Sequence, residues 1–92
     1  EVEKYLSDVA KRVIKSGERV KLTGHTDNVD SDSFNHKLGM RRANIVKKYL
    51  LNKGVKANKI IAQSKGEKAP IATNSNSKGR AQNRRTELQI IK

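Results

Sequence analysis

An aspartate at position 27 and an arginine at position 42 are the residues of this 92-residue chain best suited to recognition chemistry. A carboxylate and a guanidinium held near each other, neither consumed by the other, fit a zwitterion. The carboxylate takes an ammonium, and the guanidinium takes a carboxylate, often through two parallel hydrogen bonds. Thr26, Asn28 and Asn35 add neutral groups able to fix orientation. The stretch Leu22–Leu50 leaves a strand, crosses a polar turn and enters a helix, whose first N–H groups are unpaired and would serve the same anion. The ligand implied is an amino acid centre or a molecule carrying one. By spacing alone the signal is weak, since such pairs are mostly structural: an aspartate that caps a turn and an arginine that solvates a helix face.

Other chemistries find less support. His25 and His36, taken with Asp27, Asp30 and Asp32, match no zinc or calcium spacing, so no metal is expected. His25 is expected to hold the turn by a hydrogen bond. No cysteine, no Gly-x-Ser-x-Gly, no P-loop and no plausible carboxylate pair is present, so no catalytic residue, no enzyme activity and no cofactor is expected. The net charge of +12, from 21 Lys+Arg against 9 Asp+Glu, favours anionic partners. A basic nucleic-acid-binding module is therefore the alternative reading, on the clusters Lys78, Arg80, Arg84, Arg85 and Arg41, Arg42, Lys47, Lys48. Against it, the aromatics are only Tyr5, Phe34 and Tyr49, with both tyrosines expected to be buried, which leaves no stacking platform. Nucleic acid is not the expected partner.

The elements that must position Asp27 and Arg42 follow from hydrophobic period. From Glu1 to Ser16, Val2, Tyr5, Leu6, Val9, Ala10, Val13 and Ile14 share one helical face. Gly17 ends that helix as its left-handed residue. Arg19–Thr23 alternates as a strand, with Val20 and Leu22 on one side, and Gly24 lets the backbone turn. His25–Phe34 is polar loop. A second helix spans about Asn35–Asn52, capped by Ser33 or Asn35. Its expected buried stripe is Leu38, Ile45, Val46, Tyr49 and Leu50, with Ala43 permitting close approach. Lys59–Ser64 and Thr86–Ile91 read as strands, with a short helical turn within Ser77–Asn83. The fold class is α+β, a two-layer sandwich of order α-β-α-β-β with helices on one face of a mixed sheet. Ninety-two residues make one domain, and with aromatics at 3% its core must be aliphatic.

Four ordered blocks carry a resemblance: GHTDN at 24–28, NHKLGMRRANIVKKYLLNKGV at 35–55, GEKAPIATN at 66–74 and GRAQNRR at 79–85. Together they resemble the OmpA-like C-terminal peptidoglycan-binding domain of the outer membrane protein A family. The resemblance implies that Asp27 and Arg42 grip the ammonium and carboxylate of diaminopimelate in the peptidoglycan stem peptide. It implies that Asn35 and the backbone around Leu38 shape the slot, with Asn83 and Arg84 supporting it. It further implies a periplasmic domain anchoring a Gram-negative outer-membrane or envelope protein to the cell wall, with membrane contact only through other parts of the parent.

The chain departs from the family pattern at Asp30 (usually Gly), Gly39 (usually Ser) and Ser64 (usually Gly). The family's first strand, before the first helix, has no counterpart here, so residues 1–92 read as a single OmpA-like domain truncated at its N-terminus. That strand would lie beside the last one, so the edge of Thr86–Ile91 is expected to be open and able to pair with a second copy.

Overall fold

The computed structural model describes residues 2–92. Its elements run α1 (Val2–Ser16), β1 (Arg19–His25), α2 (Asp32–Asn52), a 3-10 turn (Ala57–Lys59), β2 (Ile60–Gly66), α3 (Ser77–Asn83) and β3 (Arg85–Ile91). Glu1, which the hydrophobic pattern assigns to the first helix, lies outside the described residues. The fold is α+β. The sheet order is β2-β1-β3, with β1 parallel to β2 and antiparallel to β3. A parallel pair needs a long crossover, which α2 supplies. The free edge of β3 carries no strand among the described residues.

The register brings Val20 opposite Ile60 and Ile90, and Leu22 opposite Ala62 and Leu88. That row faces Leu6, Val9, Ala10 and Val13 of α1 and Ala43 and Leu50 of α2, and Val55 closes the core. The face of α1 is narrower than its period suggests. Tyr5 and Ile14, expected to be covered, are each 55% exposed, and Val2 is exposed too. A three-stranded sheet is too narrow to cover the flanks of that stripe. Gly17 ends α1 with φ +76°, the left-handed conformation expected of it.

Element boundaries near the turn move from their expected places. β1 continues through Gly24 to His25 instead of turning at Gly24. Gly24 has no positive φ; what it provides is room. A Cβ there would run into the Gly39 carbonyl, so the backbones of β1 and α2 touch at this point. Because α2 rests on its small residues, Asn35, Gly39, Ala43 and Leu50 are the buried ones, while Ile45 is 65% exposed and Leu38 half-buried. The expected stripe is thus rotated. α2 also starts earlier than expected. Ser31, not Ser33 or Asn35, is the cap, its Oγ accepting the Phe34 N–H at 3.3 Å, and Asp32 favours the first turn electrostatically.

Candidate functional site

Asp27 lies just past the end of β1 and is 7% exposed. Its Oδ1 accepts the Val29 N–H at 3.1 Å, and its Oδ2 accepts Arg84 Nη1 at 2.7 Å. Burial pushes this carboxyl upward. The Arg84 hydrogen bond, the Val29 amide and the field of Arg84 and Arg80 more than offset that and hold it below its ordinary 3.8. Asp27 is therefore an ionised, oriented acceptor. Arg84 already engages it. A carboxylate has about four lone-pair directions, so an ammonium can join these two donors.

Arg84 arrives there by way of Asn83. The Asn83 amide is fully buried and fully used. Its Oδ1 accepts the N–H groups of Ile71 and Ala72 at 2.8 and 3.1 Å. Its Nδ2 donates to the Ala72 carbonyl and to Asn74 Oδ1 at 3.0 and 2.8 Å. The loop before α3 is thereby tied to the end of α3, and the next residue reaches Asp27. Asn83 thus holds the loop, and Arg84 holds the Asp27 carboxylate.

Arg42 sits on the flank of α2, half-buried. Its Nε is buried and has no hydrogen-bond partner, and it joins none of the four ion pairs among the described residues. Leu38, one turn earlier, is its neighbour on the helix surface. Asn35 is buried, and its Nδ2 donates to the Asp30 carbonyl at 3.0 Å and to Glu67 Oε1 at 3.3 Å. It ties the turn and the end of β2 to α2. Thr26 is buried as well, with its N–H on the Gly66 carbonyl at 2.8 Å and its hydroxyl on the Asp27 carbonyl at 2.9 Å. Thr26 and Asn35 thus shape the loop from within, whereas Asn28 is exposed.

Position in the sequence could not foretell Glu67. The Asp32 carboxyl beside it pushes its carboxyl up, against the Asn35 amide, which pulls it down. Asp32, His36 and Glu67 line a cavity of about 340 Å³ that includes neither Asp27 nor Arg42. Among the described residues no three His, Asp or Glu side chains are placed so that they could hold a metal ion. His25 differs from expectation. It is buried, and Nε2 lies 3.3 Å from Glu87 Oε1, but neither ring nitrogen has hydrogen-bond geometry. Burial lowers its basicity and Arg85 adds to this, against the pull of Glu87. It fills space beneath the site as a neutral ring.

The state of Asp27 sets a pH dependence. Its folded pKa is depressed, so its contribution to stability is present above the ordinary carboxylate value and disappears as pH falls through the folded value. Melting curves of the native chain and Asp27→Asn should keep a constant gap above about pH 5. The gap should close on acidification below 3.8, the ordinary value. A gap that does not narrow at all below 3.8 would contradict the assignment.

Built up from its residues, this is a small α+β domain with an oriented carboxylate at the end of its central strand and, on the crossover helix, a guanidinium whose buried Nε has no hydrogen-bond partner among the described residues. The chain belongs to the OmpA family, whose sequence profile matches residues 2–84. It is 43% identical over 74 residues to an outer membrane protein A of Bordetella avium, covering 80% of this chain and 38% of that protein. It is 42% identical over 80 residues to a peptidoglycan-associated lipoprotein of Pseudomonas aeruginosa, covering 87% of this chain and 48% of that one. The chain therefore spans less than half the length of both relatives. Its fold matches the crystal structure of the peptidoglycan-associated lipoprotein from Burkholderia pseudomallei with a TM-score of 0.91 at 28% identity, over 96% of this chain and 75% of that one.

Proposed function

We propose that this chain is a non-catalytic module that binds peptidoglycan through the diaminopimelate of its stem peptide. It would thereby anchor a parent envelope protein to the cell wall from the periplasmic side. Asp27 takes the ammonium and Arg42 the carboxylate of the zwitterionic end. Leu38 and Asn28 border the slot, Asn35 and Thr26 shape it from beneath, and Asn83 with Arg84 hold its acidic side in place.

The observation that carries this reading is the Arg42 Nε, buried and without a partner. Such a donor is costly unless something satisfies it, and a carboxylate meeting the guanidinium edge-on does so with paired, charge-assisted bonds. The names of the relatives in Bordetella and Pseudomonas support the same direction. Affinity for one stem peptide need only be modest, because many copies on one continuous polymer hold together by effective concentration.

Titration with meso-diaminopimelate, followed by amide NMR shifts, tests the reading. Saturable shifts at 25–28 and 35–42 are expected, and lysine, which lacks the distal carboxylate, should bind at least roughly tenfold more weakly. Amidating that carboxylate should weaken binding as much. Equal binding of diaminopimelate and lysine would overturn the assignment of Arg42.

A further inference from the structure

Beyond the single zwitterion, and resting on the reading just given, we propose that the groove on the outer face of α2 beside Arg42 receives a second carboxylate of the stem peptide. This is the free α-carboxylate of the γ-linked glutamyl residue that precedes diaminopimelate. Phe34, Lys37, Leu38 and Arg41 line a groove of about 80 Å³. Leu38 is three residues from Arg41 and four from Arg42, so it touches both turns and joins this groove to the flank that carries Arg42.

The charge of α2 is unusual. After Asp32, α2 has no acidic residue as far as Asn52, yet it carries Lys37, Arg41, Arg42, Lys47 and Lys48. None of these cations joins an ion pair among the described residues. Lys37 and Arg41 stand four apart, a like-charge pair that disfavours the helix it sits on. A merely solvated face would be served as well by interspersed acids. Two cations converging on a groove with an aromatic ring and a leucine suit a carboxylate carried on an aliphatic peptide. Arg41 offers it two parallel donors and Lys37 a mobile charge. Phe34, 52% exposed, gives the peptide methylenes a surface to cover.

Three ligands distinguish this inference from the reading it rests on: free meso-diaminopimelate, L-alanyl-γ-D-glutamyl-meso-diaminopimelate, and the same tripeptide with its glutamyl α-carboxyl amidated. The native chain should bind the tripeptide roughly tenfold more tightly than free diaminopimelate. That advantage should shrink to about twofold or less for the amidated tripeptide, and likewise in Lys37→Gln/Arg41→Gln, which removes one or two charge-assisted bonds while leaving free diaminopimelate binding unchanged. Lys11→Gln/Lys15→Gln, with the same loss of charge on α1, should keep the advantage. Survival of the advantage in Lys37→Gln/Arg41→Gln, indifference to amidation, or equal loss in the α1 variant would overturn the inference. So would diaminopimelate binding with no gain for the tripeptide, which leaves the Asp27–Arg42 reading standing. If the native chain binds none of the three, both fall together.

Discussion

Replacing Arg42 by alanine, or Asp27 by asparagine, should reduce diaminopimelate binding by roughly 100-fold, which for a module of modest affinity reads as loss. The two variants should part company in stability. Among the described residues Arg42 joins no ion pair, and its buried Nε has no hydrogen-bond partner. Removing an unsatisfied buried donor relieves a penalty, so Arg42→Ala should melt at the native temperature or above it. Asp27 is buried, and it holds both the Val29 amide and Arg84. Asp27→Asn keeps an acceptor for Val29 but releases the guanidinium, at about 1–3 kcal/mol. It also leaves Arg84 uncompensated where the ligand's ammonium must sit. Arg84→Gln in the Asp27→Asn background should therefore restore part of the binding by removing that repulsion. Calorimetric titration with parallel melting curves reads all of this. Native-like binding in Arg42→Ala would sink the clamp, and a large drop in its melting temperature would show that the guanidinium is structural.

Much of the scaffold was legible because local period decides it. The inner face of α1, the Val20 and Leu22 row, Gly17 and the short helix before the last strand follow from patterns within a few residues. What failed depends on distant partners. Ile45 looked like core, and would be if α2 packed on its large side chains. The Gly24–Gly39 contact turns the helix instead, and Ile45 with it. The pairing of Asp27 with Arg84 spans 57 positions and rests on four hydrogen bonds made by Asn83, none of which leaves a trace in spacing. Residue type identified the acid and the base; it could not say that the acid already had a partner. His25 was read from its polarity, but β1 runs on through it and buries the ring.

The seam between β1, α2 and β2 carries the largest expected effect on stability, and it explains two of the departures from the family pattern. A Cβ on Gly24 would strike the Gly39 backbone, which no rotamer can relieve, so Gly24→Ala should destabilise by about 3 kcal/mol or more. Gly39 has a different neighbour. A Cβ there would meet Ser64 Oγ and come within 2.8 Å of the Gly24 carbonyl oxygen. The Ser64 hydroxyl occupies that space and accepts the Gly66 N–H at 3.1 Å. Where the family usually has serine at the position of Gly39 and glycine at that of Ser64, this chain has the reverse, and the one small volume is filled from the strand instead of the helix. Gly39→Ser alone should cost about 1–3 kcal/mol by overpacking. Ser64→Gly should recover much of that in the double variant, although the approach to Gly24 remains. Denaturant unfolding of the two single variants and the double gives the coupling directly, and contacting residues typically couple by about 0.5–3 kcal/mol. Strict additivity would mean that the two positions do not share the space. Alanine at position 24 should resist rescue by either change, since its clash is with backbone and not with a side chain that substitution can remove.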